Sequence, residues 1–306
     1  MKDLKSKKLN NLLAKLNDAQ ASGTAYSVSA ILPVLFSFVF LITLALTGLA
    51  EGDFMQSDAF RYASFLLPEI AFACIIGFFL KSAQTEVKDL VGKPSWKYFL
   101  IAIVLQIGLL SLAELNAWFL KLLGGLGYEE QEILIPSMDG FGFVGVLFVI
   151  AVLPAVMEET VFRGLILKGL RQSKEIYAVL LCGALFALYH QKPEQTVYQF
   201  CCGVAFALVA LRSGSVLPTI VAHFINNAWV LIMTKFSLSL DAVYLPFLIC
   251  SAFCLAGSLA YLIFFDKNQR NERVNEKKSM KDFLIFSSVG IAVCGLSWLL
   301  AFFSGV

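Results

Sequence analysis

Nine long apolar runs separated by short polar breaks leave this chain few ways to fold: residues 27–50, 62–80, 98–120, 141–162, 176–189, 198–211, 216–234, 243–265 and 283–303. A bilayer's hydrocarbon core is ~30 Å thick and takes about 20 apolar residues per helix. With 58% hydrophobic residues, 15% charged and a mean hydropathy of +0.77, 306 residues cannot clothe a soluble domain in polar surface. The expectation is an all-α, polytopic transmembrane helical bundle of about eight to nine spans with an internal polar cavity. All seven cysteines (Cys74, Cys182, Cys201, Cys202, Cys250, Cys254 and Cys294) fall in apolar runs, and there is no CxxC. They read as small packing residues, not as a disulfide framework or a zinc ribbon.

The basic residues set the orientation. With the N-terminus inside, twenty of the 24 lysines and arginines fall in cytoplasmic segments, and only Arg61, Lys121, Lys192 and Lys235 fall outside. Acidic residues such as Glu51, Asp53, Asp58, Glu129, Glu130 and Glu132 collect on that outer side. This is the positive-inside pattern for nine spans, N-in and C-out. Residues 1–26 read as a basic cytoplasmic segment in which Leu9, Leu12, Leu13 and Leu16 have the spacing of an interfacial helix; no small-residue cleavage site follows. Residues 27–306 read as one membrane domain, in a bacterial plasma membrane. Runs 176–189 and 198–211 have 14 residues each, ~21 Å of helix, too short to cross. Their joining turn is therefore expected to be recessed, and polar backbone at that depth must be covered by protein or reached by water.

Ionisable residues inside spans are costly and mark function by default. Glu69 and Glu114 are isolated and read as bundle-facing or water-reachable structural groups. Glu158-Glu159-x-x-x-Arg163 is different: Glu159 and Arg163 share a helical face and can pair, whereas Glu158 lies ~100° around the helix and is freer to exchange a proton. Pro154, one turn earlier, removes an N–H and frees a carbonyl. A plainer reading puts the pair at a helix end, with Arg163 snorkelling to the headgroups. The chain's two histidines, His190 and His223, both sit in or at the end of predicted spans, which favours a site. Glu158 and His190 are equidistant from Lys174, so a hairpin there brings them to similar depth. Asn227 shares His223's face; Asn226 is offset from it.

A carboxylate and an imidazole can hold and deprotonate water, while a second imidazole and an amide stabilise an oxyanion. That set permits peptide hydrolysis without a covalent intermediate. Glu158, His190 and His223 are also a conceivable zinc ligand set, but HExxH is absent and only the metal-free version gives Asn227 a role. No cofactor is expected.

At these residues the sequence resembles the CAAX protease and bacteriocin-processing (CPBP or "Abi") family of intramembrane glutamic endopeptidases. The family pattern reads here as Glu158-Glu159-x-x-x-Arg163, Phe186-x-x-x-His190 and His223-x-x-x-Asn227, in order. The resemblance covers a catalytic core at about residues 141–234, and the nine runs exceed the eight spans associated with that family. It implies that Glu158 and His190 activate water, that His223 and Asn227 form the oxyanion hole, and that Glu159 and Arg163 support the helix. It also implies a cavity between helices that admits a membrane-associated peptide or protein substrate in the lipid bilayer; no nucleic-acid partner is expected. Two other readings use the same residues: a non-proteolytic immunity or signalling scaffold, and a proton-relaying transporter. The transporter reading calls for paired broken spans in two halves, and the sequence shows no such symmetry.

Overall fold

The structure, a computed structural model, describes residues 16–82, 86–130, 133–266, 268 and 276–306. The interfacial helix expected over 1–17 therefore falls, except for its last two residues, outside the described residues. The described residues are all-helical, and eight helices are long and apolar enough to cross a membrane. They are α1 (Asp18–Leu46), α2 (Asp58–Ser82), α3 (Trp96–Gly124), α4 (Gly142–Leu170), α6 (Pro193–Ser213), α7 (Leu217–Lys235), α8 (Asp241–Phe265) and α9 (Lys277–Ser304). Between α4 and α6 lies the shorter apolar helix α5 (Glu175–Tyr189).

Two boundaries depart from the hydropathy reading. Helix α1 begins at Asp18, well before residue 27, because Asn17 and Gln20 form a capping box that starts the helix in a polar stretch. Helix α6 is longer than its apolar run, since Pro193 and Glu194 open it with a 3-10 turn and its end is closed at Gly214, which has φ 67°. Only α5 stays short, at 15 residues. Residues 171–174 turn the chain between α4 and α5, which confirms the hairpin placed near Lys174.

The polar turn after α5 is covered by protein. Glu194 is buried, accepts from Tyr128 Oη at 2.5 Å, and takes the Asn116 amide on its backbone carbonyl at 2.9 Å. Trp298 Nε1, from α9, donates to Thr196 Oγ1 at 2.8 Å. Burial in protein is what irregular backbone at membrane depth requires. Helix α9 reaches this turn by running beside α1 along a seam of small residues: a Cβ on Gly23 would stand 2.6 Å from the Phe283 carbonyl oxygen. Ser27 Oγ donates to Phe286 O at 2.7 Å, and Gly290 N–H donates to Ser27 Oγ at 3.1 Å.

The ends of α3, α5, α6 and α8 meet in a polar knot on the side that the basic residues assign to the cytoplasm. Arg212 donates to Glu175 Oε1 at 2.6 Å and to the Asp266 backbone carbonyl; the Asp266 carboxylate accepts from Tyr98 Oη at 2.7 Å and from Lys97 Nζ at 3.3 Å. Burial alone would push the Asp266 carboxyl up, but Tyr98, the Asn268 N–H and Lys97 outweigh it and hold it below the usual range. A depressed carboxylate stabilises the fold above its unfolded value near ~4 and loses that contribution as pH falls through the folded value. Melting curves in detergent should therefore show Asp266→Asn less stable than wild type at pH 6, with the gap closing as pH is lowered toward 3. A gap that stays constant over this range would refute the assignment.

Candidate active site

Helix α4 carries the Glu-Glu-Arg motif, and it is not a regular α-helix. Residues Leu147–Val152 and Thr160–Ile166 are wound as π-helix on either side of the α-helical Leu153–Glu159. Such segments are rare and gather at functional sites. Pro154 cannot supply the N–H that an α-helix would pair with the carbonyl of Ile150. That carbonyl instead accepts from Asn227 Nδ2 of α7 at 3.1 Å, so the proline's defect docks the third motif onto the first.

Glu159 is the centre of the assembly. Its Oε1 accepts from Arg163 Nη1 at 2.8 Å and from His223 Nδ1 at 3.0 Å, and both Glu159 and Arg163 are 0% exposed. This overturns the reading of Arg163 as a headgroup-level residue at a helix end: α4 continues to Leu170, and Arg163 points inward. The guanidinium lies 4.3 Å from the centroid of Phe186 and 5.5 Å from that of Phe206, and donates from Nη2 to Gly203 O at 3.3 Å. Gly203 also lets α6 pack closely on α5, since a Cβ on it would stand 2.8 Å from Gly183 Cα.

Glu158, on the neighbouring face, is half-buried. Its Oε2 lies 4.0 Å from His223 Nε2 and has no hydrogen-bond partner among the described residues. His223 is thus held at one nitrogen by Glu159 and presents the other to Glu158. His190, at the end of α5, has Nδ1 2.8 Å from Phe186 O. A carbonyl only accepts, so Nδ1 carries the proton and, in the neutral ring, Nε2 keeps a lone pair. The Phe186 ring stands edge-on to both imidazoles, with centroids 4.7 Å from His190 and 6.0 Å from His223. The aromatic position of the second motif therefore packs against Arg163 and both histidines at once.

The structure brings Glu158, Glu159, Arg163, His223 and Asn227 together, of which spacing predicts the Glu159–Arg163 pair and the shared face of His223 and Asn227, with His190 joined to them through Phe186. Among the described residues no hydrogen bond or ion pair links His190 to Glu158 directly. Nor do three His, Cys, Asp or Glu side chains converge among the described residues as a metal-holding group, so Glu158, His190 and His223 are not gathered as a ligand set.

With this geometry in place, the comparison with known families is decisive for the core. Residues 140–229 match the family model described as type II CAAX prenyl endopeptidase Rce1-like. This stretch resembles the Rce1-like family. No curated protein and no solved structure matches the chain. The matched stretch runs from the start of α4 into α7 and holds all three motifs, and a family described as an endopeptidase points to protease chemistry.

Residues that the motif reading passed over complete the site. Asn226 donates to Asn227 Oδ1 at 3.1 Å and accepts from Gln106 Nε2 at 2.9 Å and from Tyr198 Oη at 2.8 Å. Gln106 lies on α3, outside the matched stretch, and is fully buried. Glu69 of α2 is also buried. Glu114 is bonded instead to Tyr244 Oη, on an exposed face. The signal that finds Glu69 and Gln106 is polarity inside a span; the partner of Gln106 lies too far along the chain to be read from spacing.

Proposed function

We propose that this protein is an intramembrane endopeptidase that hydrolyses a peptide bond in a membrane-associated protein or peptide by direct attack of water. The observation that carries this reading is the pairing of Glu158 with a histidine whose far nitrogen is fixed by Glu159, inside an Rce1-like stretch. Glu158 takes a proton from water, and the His190 Nε2 lone pair orients that water. The hydroxide adds to the scissile carbonyl carbon. The oxyanion that forms is met by His223 Nε2, in the ring form protonated at both nitrogens, and by the second N–H of Asn227, whose first serves Ile150. The proton on Glu158 then passes to the leaving amine as the C–N bond breaks. Glu159 and Arg163 act by position and stay out of the reaction. The catalytic unit spans about residues 141–234, with the N-terminus cytoplasmic.

The test is cleavage of a membrane-anchored peptide ending in a CAAX sequence by the purified protein in liposomes, followed by mass spectrometry. Wild type should cut at one bond with or without a chelator, and His190→Ala should be slower by at least about 10²-fold. Intact peptide with wild type, equal rates for His190→Ala, or activity lost to the chelator would each overturn this mechanism.

A further inference from the structure

The polar side chains behind Asn227 form one run of hydrogen bonds whose direction is fixed from its inner end. The Ile150 carbonyl of α4 can only accept, so the end of the Asn227 amide that lies 3.1 Å from it is Nδ2. Asn227 Oδ1 is then turned toward Asn226, which must donate to it, and Asn226 does so from Nδ2 at 3.1 Å. That leaves Asn226 Oδ1 to accept, and both groups that reach it are donors: Gln106 Nε2 of α3 at 2.9 Å and Tyr198 Oη of α6 at 2.8 Å. Side chains and backbone from α3, α4, α6 and α7 thus agree on one polarity.

Holding helices together does not by itself require this direction, because side-chain amides between spans can bond with either end. The direction also has a cost at the outer end. Gln106 is fully buried and commits its Nε2 to Asn226, while its Oε1 has no partner among the described residues. A buried acceptor without a partner is unfavourable. The one end of the run that bears on chemistry is Asn227, which is half-buried and whose second Nδ2 hydrogen is the one assigned above to the oxyanion.

We propose that Asn226 is a positioning residue for hydrolysis: anchored by Gln106 and Tyr198, it holds Asn227 Oδ1 away from the scissile carbonyl and keeps Nδ2 turned toward the oxyanion. This rests on the reading of Asn227 as an oxyanion donor. Asn226 acts through Asn227 and does not itself meet the reacting atoms. An Asn227 amide turned over would set a carbonyl oxygen against the developing negative charge and against Ile150 O. Helix α3, outside the stretch that matches the family model, thereby takes part in the site through Gln106.

The test is the liposome peptide assay run over a range of substrate concentrations, on wild type, Asn227→Ala, Asn226→Leu, Tyr198→Phe and the two double variants that contain Asn227→Ala. Loss of one oxyanion donor costs about 10²–10³-fold in kcat, which is the effect expected for Asn227→Ala. Asn226→Leu keeps the size of the side chain without its polar ends and should lower kcat on the order of tenfold with KM unchanged, because the contact it orients is made in the transition state. Tyr198→Phe removes one anchor only and should lower kcat by roughly threefold; it is the milder variant should Asn226→Leu fail to fold. In the Asn227→Ala background either change should leave kcat within about twofold, since the group being oriented is gone, whereas a merely structural loss would carry through in full. Wild-type kcat in Tyr198→Phe and in folded Asn226→Leu, a rise in KM in place of the fall in kcat, or losses that multiply in the Asn227→Ala background would overturn the proposal. Intact peptide with wild type, or an Asn227→Ala protein as fast as wild type, would overturn the oxyanion reading itself and this proposal with it.

Discussion

A Glu158→Gln protein should insert, fold and melt as wild type does, yet cleave peptide at least about 10³-fold more slowly. The amide keeps the size and shape of the side chain but cannot take a proton from water, and general base catalysis is commonly worth 10²–10⁴-fold. Loss of proton delivery to the leaving amine as well puts the effect at the upper end. Structural cost should be small, because Glu158 Oε2 holds no hydrogen bond that the substitution would break. Rates from the liposome assay, beside melting curves of the same preparations, separate chemistry from folding. Turnover within tenfold of wild type would remove Glu158 from the base role; a large drop in melting temperature would make it a structural residue.

The opposite balance is expected one residue along. Glu159→Gln removes the charge that Arg163 and His223 both depend on, and leaves a guanidinium fully buried without a counter-ion. Breaking a buried ion pair from one side costs about 3–5 kcal/mol, and here the cost falls where α4 meets α7. Arg163→Met strands Glu159 in the same way. Because the two share one interaction, the double variant should lose clearly less than the sum of the singles, a coupling of about 0.5–3 kcal/mol in a double-mutant cycle of unfolding in detergent. Additive losses would show that the pair does not act as a unit. Activity should fall in these variants as His223 loses its orientation, with stability falling alongside it, unlike in Glu158→Gln.

Much of this arrangement was legible in the sequence because it is local. The Glu159–Arg163 pair, the separate surroundings of Glu158, the carbonyl freed by Pro154 and the hairpin at Lys174 all follow from spacing along single helices or across one turn. The link from Glu159 to His223 was not legible. Spacing tied His223 only to Asn227, and nothing in the chain tells which α4 carboxylate an imidazole 64 positions away will meet. The same limit hid Gln106 and Tyr198, which meet Asn226 from other helices, and it led Asn226 to be set aside on angular grounds. Helix α6 was read too short because hydropathy scores Glu194 and Gln195 as an end, whereas tertiary burial by Tyr128 and Asn116 keeps them within the fold. Arg163 was counted as a topological charge because sequence does not show that its helix continues inward past it.

The seam between α1 and α9 constrains how the protein is made. Its hydrogen bonds join residues as far as 265 positions apart, Asn17 to Asp282 among them, so the first described helix cannot be completed until the ninth has been synthesised. During that interval the small face of α1 around Gly23 and Ser27 must wait in lipid without its partner, and contacts this distant in sequence form slowly. The same late helix brings Trp298 to Thr196, beside the turn that carries His190. Assembly therefore ends beside the candidate site: a chain released before α9 would carry every motif residue without the helix that covers the turn after His190.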